Sequence, residues 1–170
     1  VYKSTDAGET WEHIGLEKTR QICKIRVHPN DPDVVYVGAQ GSPYQPTDDR
    51  GVYRSTDGGA NWNKVLFVDK NSGVSDLSMD MGNPRILYAA FWDHQRLPWQ
   101  VRSGGKGSGI WRSANGGDDW TKMTTGLPDS LMGKIGVAAS PAQPGRAFAI
   151  IESEQGGLYR TDNHGKSWSL

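Results

Sequence analysis

The 170-residue sequence predicts an all-β fold, namely a β-propeller segment of about three and a half four-stranded antiparallel blades. Three observations support this prediction. A motif of eleven residues occurs four times, and a weaker pattern of strand, turn and strand precedes three of the four copies. The third observation is the composition, because 22 Gly, 9 Pro and 7 Trp are typical of short strands and tight turns packed around large aromatic side chains.

The eleven-residue motif is the strongest signal in the sequence. Its order is aliphatic, aromatic, basic, Ser or Thr, any residue, Asp or Asn, any residue, Gly, two residues of any kind, and Trp. The four copies lie at 1–11, 52–62, 110–120 and 158–168 and align without gaps. Their spacing of about 50 residues is that of one four-stranded propeller blade.

We expect the motif to form the hairpin turn between the third and fourth strands of each blade. The Asp or Asn side chain would accept backbone N–H bonds, the Gly would adopt a positive φ, and the Trp would fill the space between strands. Two of the four copies carry Asn, so a hydrogen-bonding role is favoured over paired catalytic carboxylates. The residues with this expected structural role are Ser4, Asp6, Gly8, Trp11, Ser55, Asp57, Gly59, Trp62, Ser113, Asn115, Gly117, Trp120, Thr161, Asn163, Gly165 and Trp168.

The weaker pattern, at 25–38, 77–90 and 137–150, predicts a strand, a Pro-bearing turn and a second strand. Pro lacks the N–H that a sheet needs and is therefore confined to turns and strand edges. Together with the motif hairpin, this pattern gives each unit four short strands. The predicted strands lie near 22–28, 34–39, 51–55, 61–67, 74–80, 86–92, 109–113, 119–124, 134–139, 146–152, 157–161 and from 166 onward.

These strands divide the chain into four predicted units. Residues 1–16 supply the C-terminal half of a blade, 17–67 form a blade, 68–125 form a blade with a long loop insertion, and 126–170 form a nearly complete blade. All four are expected to belong to one larger propeller. Because each blade buries both faces only between two neighbours, we expect an open arc whose uncovered apolar faces make the isolated segment self-associate.

Charge and residue usage exclude several classes of partner. Lys plus Arg equals Asp plus Glu at 19 each, so a nucleic-acid partner is not expected. No apolar run reaches the roughly 18 residues of a membrane span, so no membrane insertion is expected within these residues. The single Cys23 and the isolated His28 and His94 predict no metal site, and the Gly-rich stretch 104–109 lacks the context of a phosphate loop. We therefore expect neither a metal nor a cofactor.

Both long insertions, at 40–50 and 93–108, are predicted on the rim opposite the motif turns, because turns alternate between the two rims of an antiparallel blade. Long loops on a rigid scaffold commonly carry function. Aromatic side chains there would stack on sugar rings or a peptide, and charged ones would bond hydroxyls or carboxylates; alternatively, the aromatic side chains only pin the loops to the blade. The candidate ligand-binding residues are Tyr44, Asp48, Asp49, Arg50, Trp92, Asp93, His94, Arg96, Trp99 and Arg102.

The sequence identifies no catalytic pair. Asp48, Asp49, Asp76, Asp93 and Asp129 are all expected on the insertion-bearing rim. An inverting glycosidase needs two carboxylates about 6.5 to 9.5 Å apart, and no feature of the sequence selects two of these five.

The repeated motif resembles the Asp box of sialidase, sortilin and xyloglucanase propellers, and the whole chain is similar to bacterial BNR-repeat proteins of the glycosyl hydrolase or sortilin-like kind. The resemblance extends beyond the boxes to Tyr88 through Trp92, Pro98–Trp99, Gly104–Gly105, Leu127–Pro128 and Gly133 through Val137. It implies a propeller of six to ten blades in a protein exported to the periplasm or outside the cell.

The resemblance leaves two functions open, because one propeller fold hosts enzymes, receptors and assembly factors. The favoured one is a sortilin-like scaffold whose loop-rich rim binds a peptide or protein, since no catalytic constellation is visible. The alternative is a glycoside hydrolase-type propeller, xyloglucanase- or sialidase-like, in which these residues line a saccharide cleft. The Arg-Ile-Pro motif of sialidases is absent.

Overall fold

A computed structural model describes all 170 residues, which form fourteen β-strands and one turn of 3-10 helix at Glu17–Thr19. The fold is therefore all-β, as predicted. The strands are β1 (Tyr2–Lys3), β2 (Glu12–His13), β3 (Ile22–His28), β4 (Asp31–Ala39), β5 (Gly51–Ser55), β6 (Asn63–Leu66), β7 (Ser72–Met79), β8 (Leu87–Leu97), β9 (Gln100–Ser103), β10 (Gly109–Ser113), β11 (Thr121–Met123), β12 (Met132–Ala139), β13 (Ala147–Ser153) and β14 (Gly157–Thr161).

The strands form four antiparallel sheets, which we number I to IV. Sheet I pairs β1 with β2, and sheet II has the order β3-β4-β5-β6. Sheet III has the order β7-β8-β10-β11, with β9 added alongside β8, and sheet IV has the order β12-β13-β14. The strand predicted from residue 166 onward is reduced to a single bridge between Arg160 and Ser169.

The hydrophobic core lies between the sheets, as expected for propeller blades that pack face to face. The largest cluster joins sheets III and IV and includes Tyr88, Ile110 and Ile135. A second cluster joins sheets II and III, and within sheet III the rings of Phe91 and Trp111 meet edge to face at 4.9 Å. The edge strands β3, β7 and β12 adjoin one another from sheet to sheet and are therefore the innermost strands of the blades.

The two rims of the blades differ in character. One rim, which we call the box rim, carries the Asp-box turns and the short β3–β4, β7–β8 and β12–β13 turns. The opposite rim, the loop rim, carries the 40–50 loop, the end of β8 and the links between sheets. The candidate ligand-binding residues all belong to the loop rim.

The second insertion differs from its prediction, because residues 93–103 form a β-hairpin rather than a loop. Strand β8 continues to Leu97, turns at Pro98–Trp99, and pairs with β9 from His94 opposite Ser103 to Leu97 opposite Gln100. The segments before and after Pro98–Trp99 are each too short to be predicted as strands from the sequence alone. We call residues 93–103 the hairpin insertion. The ladder between β8 and β9 gives it a fixed backbone at the loop rim.

No helix in the structure is long and apolar enough to cross a membrane.

Candidate functional site

Each Asp box uses its polar side chains to hold its own turn. In the second box, Ser55 Oγ accepts the N–H of Gly59 at 2.8 Å and donates to Asp57 Oδ1 at 2.8 Å. The Asp57 carboxylate accepts the side-chain amide of Asn61 at 2.7 Å and its backbone N–H at 2.9 Å. These hydrogen bonds lower the pKa of Asp57 from 3.8 to about 2. The geometry fits the structural role expected of the box.

The box Gly and Trp pack each sheet against the preceding one. Gly59 has a φ of 97°, and a Cβ at this position would collide with the side chain of Ile14, which directly follows β2 of sheet I. The indole N–H of Trp62 donates to Ile14 O at 2.7 Å. In the last box, Trp168 is 4% exposed and meets Tyr88 of sheet III edge to face at 6.3 Å. The box therefore contributes to packing between blades as well as to its own turn.

Arg50 anchors the 40–50 loop through hydrogen bonds to backbone carbonyl groups. Its side chain is 1% exposed, and its guanidinium donates to Asn71 O and to Ser42 O, both at 2.6 Å. Burial lowers the pKa of this guanidinium, although Asp93 and Asp69 oppose the effect. The sequence predicted Arg50 as a ligand contact. In the structure Arg50 is buried, and its hydrogen bonds tie the 40–50 loop to the link between sheets II and III.

Asp93 is also buried, within the hairpin insertion. It forms an ion pair with Arg102 on the facing strand, and its backbone N–H donates to Ser108 Oγ at 3.0 Å. The Asp93 carboxylate lies so close to Gly105 that no Cβ would fit there. Asp93 therefore fixes the base of the insertion.

His94 is the third buried candidate, at 2% exposure. Its Nδ1 lies 3.0 Å from Trp92 O, and its Nε2 lies 3.2 Å from Gln40 Nε2. These contacts suit a neutral imidazole that donates from Nδ1 and accepts at Nε2. Burial lowers the pKa of His94, and the nearby Arg50 and Arg102 lower it further. His94 thus joins the hairpin insertion to the first loop.

Trp92 has a fixed orientation beside this network. Its indole N–H donates to Ser103 Oγ at 2.8 Å, and Ser103 Oγ donates in turn to Glu152 Oε2 at 2.8 Å. The His94 ring stacks on Trp92 with centroids 4.1 Å apart, and Lys134 Nζ lies 5.5 Å from the indole centroid. Trp92 is half-buried, so only part of its surface is open to a ligand.

Tyr44 and Trp99 are the exposed aromatic residues among the candidates, at 67% and 77%. Tyr44 lies in the 40–50 loop, and Trp99 lies at the tip of the hairpin insertion. The two insertions are joined by hydrogen bonds from Arg96 N–H to Pro43 O at 2.6 Å and from Gln95 Nε2 to Tyr44 O at 3.2 Å. We call these two joined insertions, with Tyr44 and Trp99, the aromatic platform.

The remaining candidates lie at or near the surface. Asp48 is exposed and pairs with Lys70 at 3.0 Å, while Asp49 accepts a hydrogen bond from Thr47 Oγ1 at 2.8 Å. Arg96 is exposed and lines a cavity of about 190 Å³ together with Tyr44 and Trp92. The structure therefore joins Tyr44, Trp92 and Arg96 around one opening of the loop rim.

A larger open cavity of about 530 Å³ lies at the innermost strands, in the half of the sheets nearer the loop rim. Its polar lining includes Lys24 of β3, Asp76 of β7, Lys134 of β12 and Glu152 of β13. Glu152 and Lys134 were absent from the predicted site, because only the packing of sheet III against sheet IV brings them to the hairpin insertion. The one related observation in the sequence is that Lys134 lies in the stretch Gly133 through Val137, which contributed to the family resemblance.

The five rim aspartates have different surroundings. Asp93 is buried, Asp48 and Asp49 are engaged with neighbours, and Asp129 lines a separate cavity of about 440 Å³. Asp76 shares its cavity with a second carboxylate, Glu152. Nowhere do three or more His, Cys, Asp or Glu side chains converge in a group that could hold a metal ion.

The family model of the BNR/Asp-box repeat matches this chain at residues 2–13 and 53–64. Xyloglucanase Xgh74A of Acetivibrio thermocellus is 28% identical over 187 residues, which cover 100% of this chain and 21% of that protein. A xyloglucanase of a Paenibacillus species is 28% identical over 155 residues, which cover 81% of this chain and 14% of that protein. The chain therefore spans about a fifth or less of the length of these relatives.

Solved structures share the fold. The crystal structure of an ancestral GH74 enzyme superimposes with a TM-score of 0.73 and 21% identity, covering 99% of this chain and 20% of that one. YCF48 from Cyanidioschyzon merolae gives a TM-score of 0.61 and 21% identity, covering 94% of this chain and 42% of that one. The prediction of an Asp-box β-propeller is confirmed, and of the two predicted functions the relatives favour the glycoside hydrolase alternative over the sortilin-like scaffold.

Proposed function

Because this chain is an Asp-box (BNR-repeat) β-propeller similar to xyloglucanases, we propose that its loop rim lines the saccharide cleft of a glycoside hydrolase-type propeller. The observation that carries the proposal is the aromatic platform. Two insertions from neighbouring sheets are hydrogen-bonded to each other and present Tyr44 and Trp99 at 67% and 77% exposure.

An exposed Trp at the tip of a rigid hairpin suits a sugar ring. Sugar rings carry C–H groups on one face, and an aromatic face that covers them gains contact area while the hydroxyl edges stay in water. The surrounding polar groups are those that bond hydroxyls, namely the exposed Arg96 and the half-buried Gln95. The buried Arg50, Asp93 and His94 hold the platform in place, so little ordering is needed when a ligand binds.

The sequence relatives support a saccharide over a peptide, since xyloglucanases act on a polysaccharide by name. Within the chain, Asp76 and Glu152 line one cavity beside the platform, so this cavity is where carboxylates for acid and base chemistry are available. A polymeric saccharide as substrate also favours an exported protein, as the family resemblance implies.

The test is the affinity of the full-length protein for a xyloglucan oligosaccharide, measured by titration calorimetry. Trp99→Ala should weaken binding by about tenfold, because stacking of an aromatic side chain is worth on the order of 1 kcal/mol or more. Trp99→Tyr keeps an aromatic face and should retain most of the affinity. Equal affinity for both variants and the wild type, or binding of peptides but no glycan on an array, would contradict the proposal.

A further inference from the structure

His94 lies where the two insertions of the aromatic platform meet. Its imidazole is 2% exposed and lines the cavity of about 190 Å³ together with Tyr44 and Trp92. The ring stacks on the Trp92 indole with centroids 4.1 Å apart and the two ring planes 13° apart. A change in the charge of His94 therefore acts on the walls of the proposed saccharide site.

The 40–50 loop contacts both nitrogen atoms of this ring. Gln40 Nε2, at the start of the loop, lies 3.2 Å from His94 Nε2, and Arg50 Nη1, at its end, lies 3.4 Å from His94 Nδ1. The Arg50 guanidinium also donates to Ser42 O at 2.6 Å and so holds the loop. His94 is therefore a contact through which the hairpin insertion fixes the position of the 40–50 loop.

The neutral form of the ring fits these contacts. It donates from Nδ1 to Trp92 O at 3.0 Å and accepts the Gln40 amide at Nε2. A protonated imidazole donates from both nitrogen atoms. Nε2 then no longer accepts a hydrogen bond, the Gln40 amide has to turn, and a second cation stands beside Arg50. Protonation of His94 therefore weakens the link between the two insertions.

The surroundings of His94 oppose its protonation. Burial lowers the pKa of His94 and the charges of Arg50 and Arg102 lower it further, whereas the hydrogen bond to Trp92 O and the charge of Asp93 raise it. The exposed Arg96 lines the same cavity and adds a third guanidinium at its opening. His94 is thus neutral at pH 7 and takes up a proton in more acidic solution.

We propose that His94 is a positioning residue that makes saccharide binding at the aromatic platform dependent on pH. This inference rests on the proposed saccharide function and adds regulation to the same site. The neutral ring holds the loop that carries Tyr44 against the hairpin that carries Trp99, and protonation loosens this arrangement and releases the ligand. Proton and saccharide then compete, because each favours a different arrangement of the two insertions.

The sign of the effect follows from this competition. Affinity is full at a pH where His94 is neutral in the free protein. It falls as the pH drops through the pKa of His94, by at most about tenfold per pH unit from this single group. Binding in acidic solution must also release protons, because the saccharide selects the neutral ring.

The experiment measures the affinity of the full-length protein for a xyloglucan oligosaccharide by calorimetry at pH 7.5 and pH 5.0. The wild type should bind at least about fivefold more weakly at pH 5.0. Titrations at pH 5.0 in two buffers with different ionisation enthalpies should show that protons are released on binding. His94→Gln has no titrating ring at this position, so its affinities at the two pH values should agree within about twofold.

The matched control is His28→Gln, which removes a half-buried histidine at the box-rim end of β3 and should keep the wild-type fall. A purely structural role of His94 would weaken binding by His94→Gln equally at both pH values and leave the fall in place, which would overturn the inference. A wild-type affinity that is the same at both pH values, or binding at pH 5.0 without proton release, would overturn it and leave the proposed function standing. Failure of the saccharide to bind at either pH would overturn both.

Discussion

At the scale of single residues, the sixth and tenth positions of each Asp box are chemically matched. Where the sixth residue is Asp, the tenth is a donor, and Thr10 Oγ1 donates to Asp6 Oδ2 at 2.5 Å. Where the sixth residue is Asn, the tenth is an acceptor, and Asn115 Nδ2 donates to Asp119 Oδ2 at 2.8 Å. When position six carries the neutral Asn instead of Asp, position ten supplies the acceptor, so the hydrogen bond between the two side chains is kept.

This matching predicts that Asn115→Asp destabilises the protein by about 0.5 to 1 kcal/mol, because it places two carboxylates against each other. The double variant Asn115→Asp with Asp119→Asn restores the donor and acceptor pair and should recover most of the loss. Urea unfolding of the two single variants and the double variant measures this coupling. Additive losses in the double variant would show that the two positions do not interact.

At the scale of strands and turns, the basic residue of the first and of the second box binds the next box along the chain. Lys3 Nζ donates to Gly58 O at 3.0 Å, and Arg54 Nη1 donates to Gly116 O at 2.7 Å. Tyr36 Oη donates to the same Gly116 carbonyl at 2.7 Å. The basic position of the motif, which had no assigned role in the sequence prediction, therefore links neighbouring blades.

Arg54→Met should lower the free energy of unfolding by about 1 to 2 kcal/mol, since it removes a charge-assisted hydrogen bond between sheets. The matched control is Asp118→Asn, which removes only the exposed side of the Arg54–Asp118 pair and should change stability by less than about 0.5 kcal/mol. Equal effects from both variants in chemical denaturation would contradict the assignment of Arg54 as a link between blades.

The anchoring of the hairpin insertion is expected to depend on pH through His94. Its folded-state pKa is lowered below 6.5 by burial and by Arg50 and Arg102, while the hydrogen bond to Trp92 O and the charge of Asp93 oppose this shift. The unfolded chain therefore binds the proton more readily, so stability falls as the pH drops below about 6.5, with a slope of at most about 1.4 kcal/mol per pH unit from this group. Urea unfolding from pH 8 to 5 should show this fall in the wild type and a shallower one in His94→Gln. Identical profiles would exclude His94 as the cause.

Several strand bounds could be predicted from the sequence, whereas the contacts around the candidate site could not, for a physical reason. Strands β3, β5, β10 and β14 have the predicted bounds, because alternating apolar residues and box turns are local signals. The contact of Ser103 with Glu152 depends on how sheet III packs against sheet IV, and no local pattern encodes it. The burial of Arg50 likewise depends on the carbonyl groups of Asn71 and Ser42, which lie in separate segments of the chain.

At the scale of the whole molecule, the outer faces of sheets I and IV expose large apolar side chains. Tyr2 of sheet I and Trp11, which directly precedes β2, are 63% and 62% exposed, while Ile150 and Leu158 of sheet IV are 65% and 61% exposed. A polypeptide of residues 1–170 alone should therefore self-associate, which light scattering across a concentration series would detect. A monodisperse monomer with a sharp unfolding transition would contradict this expectation.

The central claim is that ligands bind at the loop rim while the box rim is structural. Hydrogen exchange of the full-length protein, with and without a xyloglucan oligosaccharide, tests it most directly. We predict slower exchange on binding at 40–50 and in the hairpin insertion, and unchanged exchange at the Asp-box turns 4–11, 55–62, 113–120 and 161–168. Slower exchange at the box turns, or binding that protects neither insertion, would contradict the account.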